Sequence, residues 1–307
     1  MLRTIGLLAL FASLSVAAPV RVQDVYDIKL KKSGKGEAFT QLRHETEAST
    51  FKLEDSAGKP LIEKKTTKTV EEEFKETVLE KEKGKRASKL RREYRKAISK
   101  SDGKDAQLAY DGKTVLIEKK ANNYHFTIEG GEELKGGDAA SLDNSFNNPG
   151  LTDSERDVLE KAFLPKKPVR LNETWKFDPS EIVKSLEKSF IGSLPVDKSK
   201  MKGECKLLRV YKKDGRQFGA FDIDLDLPLK GRLAVAKEID ATVQEGSKMH
   251  FLAKYDGCID GTSSDGVMEG TMEIDLVATY QSSGQELKMT LRGSHKEKQS
   301  ETDLSKK

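Results

Sequence analysis

The stretch QFGAFDIDLDLPLK, residues 217–230, constrains the fold more than any other because apolar and acidic residues alternate along it. In an extended chain Phe221, Ile223, Leu225 and Leu227 point to one side, and the aspartates between them point to the other. A period of two is typical of a strand with one buried face and one wet face. The stretch therefore predicts part of an antiparallel sheet that is apolar on one side.

Alternating segments recur on both sides of this stretch and are separated by short glycine-containing turns, among them Ser33–Gly36, Asp111-Gly112 and Asp214-Gly215. Such spacing indicates successive hairpins. Charged residues make up 35% of the chain and aromatic residues only 7%, so many strands should keep a wet face. We expect a mainly β fold with a small α insert. It would be a large curved antiparallel sheet or incomplete β-barrel, with helices covering one face.

The segment from residue 69 to residue 99 fits two structures. Its Glu, Lys, Arg, Leu and Ala favour a helix, and Val70, Phe74 and Val78 have helical spacing. The alternation in its second half fits a strand equally well. Turns at Gly84 and Asp102-Gly103 bound two segments of similar length, as in a hairpin. We favour two strands, which would place the acidic run 71–80 opposite the basic run that follows it.

The middle of the chain has helical signals. Residues 138–146 read as a short helix, a capping box opens a second helix at Thr152, and Asp178-Pro179 opens a third that runs to Phe190. The predicted organisation is a signal peptide, an N-terminal β region, a helical insert, a C-terminal β region and a disordered tail. Their respective bounds are 1–18, 19–137, 138–190, 191–296 and 297–307.

A proline-rich box, LPKKPVRLNETW, occupies residues 164–175 between the second and third helices and holds the only tryptophan. Pro165 ends a helix because it cannot continue the hydrogen-bond ladder. Trp175 is expected to pin the insert onto the sheet as a large apolar plug. The alternative is that Trp175 contacts a ligand, together with Phe163 and Phe190, which recur at the ends of the adjacent helices.

The N-terminus has one positive charge at Arg3, an apolar run from Ile5 to Val16, and small residues at Ala17 and Ala18. This layout predicts a secretory signal peptide and an exported protein, periplasmic or extracellular. No later segment has the length of a membrane-spanning helix, so the mature chain is expected to have none. In an exported protein an isolated pair of cysteines, Cys205 and Cys258, is most simply one disulfide; two buried thiols are the alternative.

Motifs for catalysis are missing. The four histidines are scattered, no HExxH is present, and no G-x-S-x-G elbow occurs. We therefore predict no catalytic residues, no metal and no cofactor, and treat a hydrolase as the less favoured reading. A net charge of +4 over 307 residues is too balanced to indicate a nucleic-acid protein.

Residues 81–100 carry ten Lys or Arg against two acids. Through Arg86, Arg91, Arg92 and Arg95 this segment could bind a polyanion such as a sulfated or phosphorylated surface polymer. The alternative is a solvated face whose charges are balanced by the acidic run on the neighbouring segment.

The box in residues 164–175 resembles the LPxKPVxxGxxW box of secreted, β-rich bacterial proteins of uncharacterised function, planctomycete-type especially. GKTVLIEKK and the helical DAASLD look similar to that group too, and the resemblance covers residues 25–230. It departs at Asn172, where glycine is usual, so the turn before Trp175 is expected to differ. The resemblance implies export and a β-rich fold, and it carries over no functional residues.

A curved sheet with one apolar face and a helical plug can hold a hydrophobic ligand. The leading hypothesis is therefore an exported, non-catalytic envelope or secreted protein that binds a lipid-like molecule or a protein partner. Polyanion binding through residues 81–100 is the alternative.

Overall fold

The structure is a computed structural model that describes residues 24–83, 85–147, 161–189, 195–236 and 239–304. This part of the chain is mostly strand, as predicted. It contains two helices, α1 (Ala140–Phe146) and α2 (Ser180–Ser189), and a single 3-10 turn at Gly136–Asp138. The strands are β1 (Val25–Tyr26), β2 (Ala38–Asp55), β3 (Pro60–Lys81), β4 (Ala87–Ser101), β5 (Lys104–Gln107), β6 (Thr114–Lys120), β7 (Asn123–Ile128), β8 (Val169–Arg170), β9 (Thr174–Lys176), β10 (Lys202–Lys213), β11 (Arg216–Pro228), β12 (Gly231–Ala236), β13 (Ile239–Val243), β14 (Lys248–Cys258), β15 (Gly266–Ser282) and β16 (Gln285–Asp303).

Fourteen strands form one sheet, and β1 and β8 form a separate antiparallel pair. The main order is β7-β6-β4-β3-β2-β16-β15-β14-β11-β10-β9, with β5 on β4 and the β12–β13 hairpin joined to β15. Its neighbouring strands are antiparallel, and most are successive hairpins, as the turn signals predicted. Across the described residues the first and last strands of this order do not pair, so the sheet stays open.

Strand β16 corrects the prediction of a disordered tail from residue 297. It pairs with β2 from Leu287 and Asp55 to Asp303 and Phe39, and with β15 on its other side. The charged sequence suggested disorder because it lacks apolar side chains. A strand with a partner on each edge does not need them, since its backbone N–H and C=O groups are hydrogen-bonded to both neighbouring strands. The same pairing joins the N-terminal and C-terminal β regions into a single sheet. Residues 305–307 lie outside the described part of the chain.

The segment from residue 69 to residue 99 forms strands, as favoured from the sequence. β3 and β4 pair as a hairpin, with Glu73 opposite Lys96. Arg95 lies 3.1 Å from Glu73, and Lys96 bonds to Glu71. The opposite charges therefore face one another across the strands, which is the arrangement that the acidic and basic runs predicted.

Two apolar clusters lie on the same side of the sheet. One, on β3, β4, β6 and β7, is covered by α1 and centres on Phe74, Tyr110 and Phe126. The other lies on β10, β11, β14 and β15 and includes Leu207, Leu227 and residues of α2 and of the box. We call this side the covered face and the opposite side the open face. Both clusters keep the alternation of the sequence, because buried residues are two apart along the strands.

The predicted disulfide is wrong: Cys205 and Cys258 are both buried and unbonded. Cys205 lies on β10 opposite Ile223 of β11, whereas Cys258 lies on β14 opposite Phe218 of the same strand. The two thiols are two strands apart across the sheet, which is about 10 Å. Along the strands they are offset by five residues, which is about 16 Å. A disulfide needs Cα atoms within about 7 Å. The alternative of two buried thiols is the one that the structure has.

The short helix predicted at residues 138–146 and the helix from Ser180 are present as α1 and α2. The helix predicted from Thr152 and the signal peptide at 1–18 fall outside the described residues, apart from the end of that helix near residue 162. Asn172 has φ of 64°, a left-handed conformation in which glycine is favoured and asparagine is tolerated. The turn before Trp175 therefore has the geometry that a glycine at this position would adopt.

Candidate functional site

Between the two apolar clusters the covered face carries a row of charged side chains, which we call the polar seam: Arg43 and Glu45 of β2, Glu72 and Glu76 of β3, Arg92 of β4, and His295 and Glu297 of β16. Register places them on one side of the sheet, because directly opposed residues point the same way. Arg43 is opposite Glu72, and Glu45 is opposite Glu297. The seam lies mainly on β2, β3 and β16, at positions of the covered face where charged residues take the place of apolar ones.

Arg43 is the centre of one half of the seam. It bonds to Glu45 on its own strand, and its other guanidinium nitrogens lie 3.5 Å from Glu72 and 3.4 Å from Glu297. It also donates to the hydroxyl of Ser145 in α1, over 3.3 Å. Burial lowers the pKa of Arg43, but the three surrounding carboxylates raise it further, so its net pKa is raised. Arg43 therefore stays charged and ties α1 to the sheet.

Arg92 occupies the other half. It lies 2.5 Å from Glu76, and its guanidinium carbon is 4.2 Å from the centroid of the Phe74 ring and 4.7 Å from that of Phe146. A cation sandwiched by rings and paired with a carboxylate is a well-compensated buried charge. Burial lowers the pKa of Arg92, but Glu76 outweighs burial and the net pKa is raised.

His295 completes the seam on β16. One ring nitrogen of His295 and one carboxylate oxygen each from Glu45 and Glu297 all lie within 4.8 Å of one another, and all three side chains are half-buried. Burial raises the pKa of Glu45, and Glu297 and Glu72 raise it further against the lowering effect of Arg43. Sequence reasoning missed this grouping because β2 and β16 are at opposite ends of the chain.

The open face contains the larger of the two cavities described, which we call the outer groove. It has a volume of about 740 Å³ and crosses five strands, β2, β11, β14, β15 and β16. Its lining residues are His44, Asp222, Ile223, Asp224, Leu252, Ala253, Lys254, Glu269, Gly270, Thr271, Lys296, Glu297 and Lys298. The second cavity, about 280 Å³, lies beside β7 and α1.

The floor of the outer groove is formed by rows of residues that register brings into line. One row runs from His44 through Lys298, Glu269 and Lys254 to Asp222. Lys298 bonds to Glu269. In the next row Leu252 is an exposed apolar residue, with 47% of its surface accessible. The groove thus combines a row of basic and acidic side chains with the apolar side chain of Leu252 beside it.

Asp222 has an oxygen without a partner. Its Oδ1 is buried and accepts no hydrogen bond anywhere in the part of the chain that the structure describes. Asp224, two residues further along the strand, accepts through its Oδ1 from Nε2 of His250 at 2.9 Å. A buried carboxylate oxygen without a donor is costly, and a bound hydroxyl or ammonium group would remove that cost.

Trp175 and Phe163 line neither of these two cavities. Trp175 packs on Phe221 with centroids 6.0 Å apart and donates its indole N–H to the carbonyl oxygen of Phe163 over 2.9 Å. The Phe163 ring is 5.1 Å from that of Phe177. Both side chains therefore hold the box on the sheet, in line with the interpretation of Trp175 as a plug. The side chain of Phe190 lies outside the described residues.

The four arginines proposed for polyanion binding do not form one patch. Arg92 is in the polar seam on the covered face. Arg91 makes two hydrogen bonds to Glu129, at 3.2 and 2.9 Å, and Arg95 is paired with Glu73. Arg86 donates to the carbonyl oxygen of Phe146 and lies over the Tyr124 ring. A polyanion would have to displace these contacts.

No family model and no curated protein matches this sequence. Among solved structures, OpdQ of Pseudomonas aeruginosa has 8% identity and a TM-score of 0.22, covering 88% of this chain and 98% of that one. An outer membrane channel of Pseudomonas putida F1 has 9% identity and a TM-score of 0.19, covering 91% and 100%. The outer membrane protease OmpT of Escherichia coli has 8% identity and a TM-score of 0.18, covering 87% and 97%. With TM-scores this low, these similarities carry no argument. Within the described residues, no helix is both long enough and apolar enough to cross a bilayer.

Proposed function

We propose that this protein is an exported, non-catalytic binding protein that holds an amphipathic, lipid-like molecule in the outer groove. The observation that carries the proposal is the groove of about 740 Å³ across five strands with the exposed Leu252 in its floor. Export is supported by the N-terminal pattern of residues 1–18, as argued from the sequence.

The size of the groove fits a small amphipathic molecule. Ligand sites typically have volumes of about 300–1,000 Å³. Leu252 offers apolar contact at the centre, and Lys254, Lys296 and Lys298 can lay their methylene stems along an acyl chain while their ammonium groups stay in water. The groove is supported by the paired strands of the sheet, so binding would require little ordering of the protein.

The charges of the groove favour a head group that carries donors as well as acceptors. Three lysines and His44 share the open face with the carboxylates of Asp222, Asp224 and Glu269. A strongly anionic polymer would meet these carboxylates, whereas a zwitterionic or hydroxylated head group could pair with both signs. The unpartnered Oδ1 of Asp222 is the acceptor that such a head group would satisfy.

The test is native mass spectrometry of the mature protein purified from its own envelope, with lipid extraction of the same sample. The proposal predicts an apolar or amphipathic molecule that co-purifies at a ratio near one to one. A homogeneous empty protein that also fails to take up lipid from mixed detergent micelles would contradict it.

A further inference from the structure

The register of β2 and β16 places three metal-binding side chains together on the covered face, on the opposite side of the sheet from the outer groove. Glu45 and Glu297 are directly opposed. His295 is two residues before Glu297, so it points the same way. Their nearest ligand atoms all lie within 4.8 Å of one another. The three residues belong to two hydrogen-bonded strands inside the sheet, which hold their backbones in fixed positions.

The charge balance of the polar seam calls for a cation. Four carboxylates, those of Glu45, Glu72, Glu76 and Glu297, face two guanidinium groups, those of Arg43 and Arg92. Among these six groups the formal excess is two negative charges. Glu72 and Glu76 are buried and the others are half-buried. Uncompensated charge in such a place is expensive, and one divalent cation would balance it.

We infer that Glu45, His295 and Glu297 form a binding site for one divalent transition-metal ion. One imidazole nitrogen with two carboxylate oxygens suits Zn²⁺, Mn²⁺ or Co²⁺ better than Ca²⁺ or Mg²⁺, which prefer oxygen ligands alone. Ligands of a tetrahedral ion at about 2.1 Å lie about 3.4 Å apart, so the three side chains must move closer together than they are in the structure. Because the three side chains are half-buried, solvent reaches them, and a water molecule would be the fourth ligand of a tetrahedral ion.

Arg43 is the built-in competitor of this ion, because its guanidinium bonds to Glu45 and lies 3.4 Å from Glu297. When the metal binds, Arg43 keeps Glu72 as its partner. Replacing Arg43 by glutamine should tighten metal binding by about tenfold or more, because a unit positive charge next to the site is removed.

The experiment is a titration of the purified, untagged chain with Zn²⁺ and Co²⁺ by isothermal calorimetry, with bound metal counted after equilibrium dialysis. His295→Gln and Glu45→Gln test the ligands. His250→Gln is the matched control, because His250 also faces a carboxylate, Asp224, but lies on the open face. Circular dichroism and thermal melting establish that each variant is folded.

We expect one ion to bind per chain. The affinity for the metal should fall at least tenfold in His295→Gln and Glu45→Gln. It should be unchanged in His250→Gln and higher in Arg43→Gln. Visible absorption of bound Co²⁺ should shift between the wild-type chain and His295→Gln. No binding up to millimolar metal, or equal affinities in His295→Gln and His250→Gln, would overturn it. If a ligand variant does not fold, the opposite response of Arg43→Gln still decides the matter.

Discussion

Tyr110 donates its phenolic hydrogen bond to Glu72 over 2.7 Å, within the cluster beneath α1 and 38 positions away in the sequence. The Tyr110 side chain is fully buried and Glu72 is 4% exposed. Burial raises the pKa of Tyr110, and the Glu72 carboxylate raises it further, so the hydroxyl remains a donor at physiological pH. The bond compensates a carboxylate at the border between the polar seam and the apolar cluster.

The first prediction concerns this bond. Tyr110→Phe should lower the free energy of unfolding by about 1–3 kcal/mol, because Glu72 then loses a donor in a buried place. Urea denaturation measures the change. Tyr211→Phe is the control: its hydroxyl also bonds to a carboxylate, that of Asp256, but the residue is 37% exposed, and the expected change is below about 0.5 kcal/mol. Equal changes in the free energy of unfolding in the two variants would show that the burial of Glu72 does not increase the contribution of its hydrogen bond.

The second prediction concerns Glu301 on β16. Burial raises its pKa from 4.5 to about 7, and Glu76, Asp303 and Asp265 add to the effect against a hydrogen bond from Ser264. The folded chain therefore keeps a proton that the unfolded chain releases above pH 4.5. This group's contribution to stability is fully present below that pH and is lost as the pH rises through about 7.

Glu301→Gln should therefore flatten the decline in the free energy of unfolding between pH 5 and pH 8. Urea melts at several pH values measure this slope. Glu286→Gln, at an exposed position of the same strand, serves as the control and should keep the wild-type slope. A slope in Glu301→Gln as steep as that of the wild type would refute the assignment.

The third prediction concerns the two cysteines. Burial raises the pKa of the Cys205 thiol to about 12, so almost none of it is thiolate at pH 8. The native chain should react slowly with a thiol reagent at Cys205. After denaturation without reductant, two thiols per chain, those of Cys205 and Cys258, should react with the reagent. Fewer than two in freshly purified protein would indicate the disulfide that the structure lacks.

The fourth prediction concerns the C-terminal strand. A chain that stops after Lys296 loses residues 297–303 of β16 and leaves backbone groups of β2 and β15 without partners. It should be insoluble, or its free energy of unfolding should fall by more than about 4 kcal/mol. A chain that stops after Leu304 retains the strand and should behave as the full chain. Similar melting of the two truncated chains would mean that β16 does not stabilise the sheet.

The local features of this fold were predictable from the sequence and the long-range ones were not. Alternation around Phe221 and Ile223 is a local signal, and it predicted β11 and the apolar face. β16 has little such signal at its end, where Glu297 and Lys298 look like a solvated tail. Its order depends on β2, more than 200 residues earlier in the chain.

The candidate sites depend on the same long-range pairing. Glu45 and His295 meet only because β2 and β16 are neighbours, and no spacing in the sequence could indicate it. The sequence predicted a disulfide between Cys205 and Cys258 because it could not show that β11 lies between their strands. Trp175 was interpretable because its context, a proline box between helices, is local.

The most direct test of ligand binding in the outer groove is ligand retention in two matched variants by native mass spectrometry. Leu252→Glu places a charge in the floor of the groove, whereas Leu61→Glu places it on β3 outside the groove, at a residue that is 51% exposed against 47% for Leu252. The account predicts that Leu252→Glu loses the co-purifying molecule and Leu61→Glu retains it at the wild-type ratio. Retention in both variants, or loss in both while the fold is intact, would contradict binding in the outer groove.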